Sequence, residues 1–313
     1  MGDYLLRRLA LAVPTMLLAM TTVFILARVV PGDPALVILG DQASVEALAA
    51  LRTKLGLDQP MYVQYLDFLW GILHGDLGRS LVTGKSVWAE VLAVIPYTIE
   101  LTLAAILLGV IFGVPLGVYA AVHRNALPDT LTRLVSLAGL SFPAFVSAIL
   151  LLLVFSIQLH WFPVISDPKV NDPIDRLRHL ALPALNLGII MTAYVTRVTR
   201  SSMLNVLGED YVRTARAKGI GAAAVLWRHA LRNALIPVAT VVGLYLGTMI
   251  GNSVLTEIVF NRPGLGKLIL GALNLRDYTL LQGVMVFFAG FIVLANVATD
   301  IAYGFIDPRV KYR

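Results

Sequence analysis

The run Gly78-Arg79-Ser80-Leu81-Val82-Thr83-Gly84-Lys85-Ser86 is the nearest this sequence comes to a phosphate-binding loop. Such a loop needs Gly, four residues, then Gly-Lys-Ser/Thr, so that successive backbone amides cradle the phosphates and the lysine reaches them. Here five residues separate Gly78 from Gly84, and no strand pattern leads into the run. The spacing argues against nucleotide binding. The five histidines are scattered, and neither a His-Glu-x-x-His zinc pair nor a Gly-x-Ser-x-Gly elbow occurs. With no cysteine there is no disulfide and no thiolate metal site. The expectation is a chain without catalytic, cofactor-binding or metal-binding residues of its own. A lone group such as His123 keeps a membrane-embedded enzyme as the competing class.

Two further constellations involve charge. Glu100 and Asp300 sit near the ends of long apolar stretches, whereas an ion-coupled carrier keeps ionisable groups near the membrane midplane. Their placement argues against a stand-alone secondary carrier and for work supplied by a partner. The second constellation is Glu209-Asp210 ahead of Tyr211-Val212-Arg213-Thr214-Ala215-Arg216-Ala217-Lys218-Gly219. An acid at a helix start complements the free amides and the dipole. Gly219 suits a left-handed helix end. A second short helix over 222–229 would complete a two-helix protrusion, the alternative being a cationic loop that only fixes topology.

The elements that would carry these groups follow from composition. The 313 residues are 58% hydrophobic and 14% charged, with a mean hydropathy of +0.79. Soluble domains carry about 25% charged residues, so much of this surface does not face water. The pI near 9.6 does not indicate nucleic acid, because nucleic-acid binders are rich in charge. A spanning helix needs about 20 mostly apolar residues. Six stretches qualify: 9–30, 98–122, 134–159, 180–196, 234–256 and 282–305. The fourth is the weakest, 17 residues before Arg197. The first is too long for a signal-peptide core and lacks a small-residue cleavage site, so it reads as a retained span.

Six spans put both termini on one side. That side carries 14 cations and 5 acids, against 10 and 12 opposite, leaving out Arg28, Glu100 and Asp300 within spans. The positive-inside rule makes the termini cytoplasmic. The expected organisation is 1–30, N-terminus and first span; 31–97, external segment; 98–306, five-helix core with a cytoplasmic loop at 201–233; and 307–313, cytoplasmic tail. In the external segment a helix is expected over 44–55 and closed by Gly56. A second is expected over 61–73, starting at Pro60 and ending near His74-Gly75. It is too short to span and is expected on the membrane surface or on the bundle. Gly109, Gly113, Gly117 and Gly243, Gly247, Gly251 repeat every four residues, the spacing that lets helix backbones approach closely. Ordinary packing is the expected use, sliding during a conformational cycle the alternative.

Tyr211 to Gly219 closely resembles the cytoplasmic EAA-type motif of the inner-membrane permeases of ABC importers, in its dipeptide/oligopeptide/nickel branch form. It departs from the general consensus at Arg213, Thr214 and across His229-Ala230-Leu231-Arg232. Other resemblances follow in family order: Pro31-Gly32-Asp33-Pro34, Leu55 to Pro60, Gly75 to Ser80, Thr256-Glu257 with Phe260, Pro263 to Gly266, Arg276-Asp277-Tyr278 and Asp307-Pro308-Arg309. The resemblance implies an all-α type I (MetI-like) bundle in the bacterial inner membrane. It implies a sister permease, two cytoplasmic ATPases that hold the ATP and magnesium, an external substrate-binding protein and surrounding lipid. Asp210, Tyr211, Thr214, Ala215, Gly219 and Ile220 would couple to the ATPases. Asn252, Glu257 and Phe260 are expected at the pathway or its outer gate. Dipeptides or short oligopeptides are the implied substrates, with nickel chelates, glutathione, opines and oligosaccharides as alternatives.

Overall fold

The computed structural model describes residues 2–29, 34–40, 43–167, 170 and 172–306. The Pro31-Gly32-Asp33 motif, the tail motif Asp307-Pro308-Arg309 and the side chain of Asp300 lie outside the described residues. The helices are α1 Gly2–Val29, α2 Pro34–Leu39, α3 Val45–Lys54, α4 Met61–Leu73, α5 Val87–Val122, α6 Leu127–Ser141, α7 Ala144–Leu151, α8 Pro173–Leu207, α9 Asp210–Ala217, α10 Ala222–Ala224, α11 Leu231–Val259, α12 Leu265–Asn274 and α13 Tyr278–Ile306. Wider π-type turns extend α7 over Leu152–Gln158 and join α10 to α11 over Val225–Ala230. Among the described residues the one bridge between extended segments pairs Arg79 with Ser86.

Local chemistry sets several boundaries, with Gly56, Pro60 and Gly75 placed as expected and Ser44 found as a cap and not as a helical residue. Ser44 caps α3 by accepting the Ala47 amide, and Gly56 follows at φ +65°. Pro60 precedes α4, and Gly75 follows it at φ +73°. Among the described residues five helices are long and apolar enough to cross a membrane, and the number is six if the bent pair of α6 with the α7 segment counts as one span.

That pair corrects the third expected span. The stretch 134–159 is not one rod: α6 and the α7 segment meet at 102°. Pro143 lacks an amide hydrogen, and its ring forces the preceding Phe142 to extended angles, φ −89° and ψ 132°. The fourth span is also longer than read, 35 residues in α8. Its membrane-length window is 61% buried, the most of the five. A helix enclosed by protein need not be apolar all round, which is why hydropathy alone undersized it.

The chain divides into two compact units. In the unit formed by Met1–Pro96 and Pro263–Leu294, the core joins Val87 and Val91 to Leu265, Ala272, Leu280, Leu281 and Val284. Helix α4 packs on α1, as expected of a helix too short to span. Tyr65 and Phe68 lie 5.1 and 5.6 Å from the Phe24 ring, and the Tyr65 and Thr21 hydroxyls are 2.6 Å apart. The guanidinium of Arg28 lies 3.7 Å over the Phe24 ring and donates to Gln64 Oε1.

In the unit formed by Tyr97–Arg262 and Ala295–Arg313, the core joins α5, α8 and α11 through Val114, Val118, Met191, Val195, Met203, Ala234 and Met249. The glycine series is packing. A methyl on Gly113 would meet Val195 Cβ at 2.7 Å, and one on Gly117 would meet the Thr196 carbonyl at 2.7 Å. Gly109 faces Met191, so α5 lies directly against the α8 backbone. Gly243 and Gly247 face Thr299 and Asn296 in the same way, but Gly251 has open space around it. Leu103, Leu107 and Ile111 stay exposed on α5, an apolar stripe whose natural solvent is lipid.

Candidate functional site

The loop between α8 and α11 folds as a helical hairpin. Val212 and Ala215 of α9 and Val225 beyond α10 are buried together, with Val206, Leu207 and Ile220 packed on them. This small apolar base fixes α9 to the end of α8. The turn is built as the sequence requires. The Gly219 amide donates to Arg216 O and the Ile220 amide to Ala215 O, with Gly219 at φ +75°. This paired pattern is the left-handed helix stop that glycine adopts without steric cost. Asp210, Tyr211, Thr214 and Gly219 are exposed on the hairpin surface, Ile220 is half-buried, and Ala215 is buried.

Two details correct the sequence reading. Glu209 occupies the cap position of α9 but its side chain makes no capping bond. Asp210 instead pairs with Arg213 at 2.6 Å, both side chains largely exposed, a pairing that adds little stability in water. The helix expected over 222–229 does not stop there. It runs without a break into the next span, Ala222–Val259, and nothing in that stretch offers a glycine or proline to end it before Pro237. The hairpin is therefore one short helix docked on the base of a long one. Asn233 of α11 donates to the Tyr211 hydroxyl at 2.7 Å and ties the two together.

At the opposite end of α11 sits an ionic cluster. Glu257 is fully buried and accepts the Thr98 hydroxyl at 2.6 Å. Arg262 is fully buried and donates to Glu100 Oε2 at 2.7 Å; Arg176 donates to Glu100 Oε1 at 2.9 Å. Two carboxylates thus face two guanidiniums. Burial pushes the Arg262 pKa down, while Glu100 and Glu257 pull it back up. Phe260 is fully buried with Ala148 and Leu182, and its carbonyl accepts the Ser166 amide at 2.9 Å. Asn252, one turn before Thr256, is half-buried, and its carbonyl accepts the Thr256 hydroxyl at 3.2 Å. The three residues expected at the pathway or gate thus occupy successive turns of one helix end, with Glu257 and Phe260 as buried anchors.

Other polar nodes were not singled out from the sequence. Asn186 of α8 is fully buried, accepts Ser147 at 2.7 Å and donates to the Ala144 carbonyl and to Thr256. Asp129 is fully buried and bound on both oxygens by Arg200, at 2.5 and 2.8 Å, while the Asn125 amide donates to it. A lone Asn or Asp at these positions carries no sequence signal until a partner tens of residues away is placed beside it.

The phosphate-loop near miss has its own occupant. Asp277 Oδ2 accepts the Ser80 hydroxyl at 2.5 Å and the Val82 amide at 3.3 Å. The Val82 amide of that loop closes on a carboxylate of the same chain, and the Thr83, Gly84 and Lys85 amides donate to oxygens within the loop. His123 follows the end of α5 with its Nδ1 3.0 Å from the Tyr119 carbonyl, the position of a helix-end partner. Among the described residues no three His, Asp or Glu side chains gather as metal ligands.

Comparison with known proteins places this architecture. Residues 113–312 match the family described as binding-protein-dependent transport system inner membrane component. Residues 1–102 match the N-terminal region of the same membrane component. Over the full length of both chains, the protein is 43% identical to the di/tripeptide transport system permease protein DppB of Pseudomonas aeruginosa. It is 40% identical, again over both full lengths, to the glutathione transport system permease protein GsiC of Salmonella typhimurium. Its fold resembles a chain of the MetNI methionine ABC transporter in inward facing conformations. That likeness has a TM-score of 0.57 at 17% identity and covers 69% of this chain and 95% of that one. Such permeases work beside ATPase subunits and a substrate-binding protein. The helical bundle, the hairpin between α8 and α11 and the full-length likeness lead to one assignment: this chain belongs to the binding-protein-dependent transport system inner membrane components, as a multi-pass inner-membrane permease subunit of a bacterial ABC importer of the dipeptide/oligopeptide branch.

Proposed function

We propose that this subunit forms half of a pathway for dipeptides or short oligopeptides, driven by ATP that partner subunits hydrolyse. It performs no chemistry and holds no cofactor itself. The observation that carries the reading is α11. It is a helix of 29 residues, roughly 43 Å long at 1.5 Å per residue, with the hairpin at one end and the Glu100–Arg262 cluster at the other. A push on α9 is delivered along α11 and α8 toward that cluster, the kind of rigid-element motion that switches access between two sides.

In this reading both termini and the hairpin are cytoplasmic, as the charge asymmetry supports, and residues 31–97 face the binding protein. Asp210, Tyr211, Thr214 and Gly219 offer the ATPase-facing surface. Ala215 and Ile220 hold its shape from beneath. Asn252 lines the pathway, and Glu257 and Phe260 anchor its outer closure. A sister permease and two ATPases complete the importer. The peptide substrate is supported by the likeness to a di/tripeptide permease, and glutathione is the second reading because of the likeness to a glutathione permease.

The test is uptake of labelled dipeptide and labelled glutathione by cells with and without this chain. Loss of ATP-dependent dipeptide uptake on deletion, restored by the gene, is expected. Loss of glutathione uptake alone moves the substrate to the second reading. Uptake that survives ATP depletion but fails when the proton gradient collapses overturns the importer mechanism.

A further inference from the structure

A cavity of about 320 Å³ opens between α6 and α8, lined in part by Arg133, Leu137, Leu140, Thr196, Arg197 and Arg200. That volume is at the lower end of the range for small-molecule sites, about 300–1,000 Å³. Its lining holds three guanidiniums and no carboxylate. The carboxylate beside it, Asp129, is already bound on both oxygens by Arg200. Arg133 approaches Asp129 only to 3.8 Å, with half its side chain exposed. Arg197 faces the Tyr194 ring at 5.7 Å. Three cations against one anion leave a surplus of positive charge. A second observation is independent of charge. Thr196 is 2% exposed and its hydroxyl has no hydrogen-bond partner, although buried hydroxyls are nearly always satisfied. Thr196 lines the cavity, but its Oγ1 is closed to water, so donation to an oxygen in the cavity requires the wall to open slightly around it.

The occupant must therefore bring anionic oxygens. It must also tolerate apolar walls, because Leu137 and Leu140 continue into the exposed α6 residues Leu131, Leu134 and Val135. In a membrane protein such a face meets acyl chains. We propose that this cavity binds the phosphodiester headgroup of an anionic phospholipid, held by Arg133 and Arg197 and by the Thr196 hydroxyl, with the acyl chains along α6. Basic pockets between spanning helices suit such headgroups. The site lies two to three turns before the C-terminal end of α8, so its occupant braces the helix on which the hairpin is seated.

The experiment is native mass spectrometry of the assembled importer, extracted in mild detergent and exchanged into phosphatidylglycerol or phosphatidylcholine. The expected result is retention of phosphatidylglycerol but not phosphatidylcholine. Retention should fall roughly tenfold or more in the Arg133→Gln/Arg197→Gln double variant and survive in the Arg133→Lys/Arg197→Lys variant. Leu137→Trp, which fills the cavity and leaves every charge in place, should also abolish it. Equal retention of the two lipids, or unchanged retention in the Gln and Trp variants, overturns the proposal. Displacement of the lipid by dipeptide also overturns it, and assigns the arginines to the transported solute.

Discussion

Arg262 and Glu100 are 162 residues apart in the chain and 2.7 Å apart in the fold, with the guanidinium fully buried. The pair joins the interior of α5 to the segment that follows α11, and Arg176 of α8 completes it from the other side. One carboxylate within α5 thereby holds the start of α8 and the segment beyond α11. Removing one partner of a buried ion pair costs about 3–5 kcal/mol where the other charge is stranded; Glu100 keeps Arg176, so the loss of Arg262 should cost less than that. Arg262→Met should lower the melting temperature of the purified complex by several degrees. Adding Glu100→Gln in the same chain should recover part of the loss. A single variant that melts with wild type would show that the pair contributes nothing.

Gly219 has φ +75° and open space where a side chain would be. A substituent there strains the backbone without a clash, so Gly219→Ala should cost roughly 1 kcal/mol. Gly219→Trp should leave the complex assembled while its ATPase activity no longer drives uptake, measured side by side in proteoliposomes. Wild-type uptake by the Trp variant would remove Gly219 from coupling.

The α5–α8 contact separates two kinds of glycine. Gly117→Leu drives a side chain into the Thr196 carbonyl and Thr199, and overpacking typically costs 1–3 kcal/mol or more. It should abolish accumulation of folded protein in the membrane. Gly251→Ala meets nothing within 4 Å and should accumulate and transport normally. Equal tolerance at both positions would contradict the close approach of α5 to α8.

Asp277 organises the 78–86 loop, so Asp277→Ala should strand the Ser80 hydroxyl and the Val82 amide, at about 1–3 kcal/mol for a buried polar group left unpaired. Faster limited proteolysis between Gly78 and Ser86 is the readout. Lys85→Ala, by contrast, should leave ATP-dependent uptake unchanged. Loss of nucleotide dependence in that variant would reopen the phosphate-loop reading.

Much of the fold was legible because lipid simplifies the code. A span must be long, apolar and internally hydrogen-bonded, so the spans at α1, α5, α11 and α13 stand out from composition. Stops and starts at Gly56, Pro60, Gly75 and Gly219 were legible for a similar reason: each acts on its own few residues. The bend at Pro143 was missed although its cause is local, because hydropathy averages over the break. The true extent of α8 was hidden because its burial comes from other helices.

What the sequence determined by itself is therefore the helical class, most of the spanning segments, the charge asymmetry and the Tyr211–Gly219 hairpin motif. Tertiary structure alone decided which charges are matched. Asp277 fills the 78–86 loop, Glu100 meets Arg262, Asp129 meets Arg200, and Asn186 joins Ser147 to Thr256. The physical reason is range. A cap or a turn is satisfied within a few residues of chain, whereas a buried charge is satisfied by whichever partner folding places within about 3 Å.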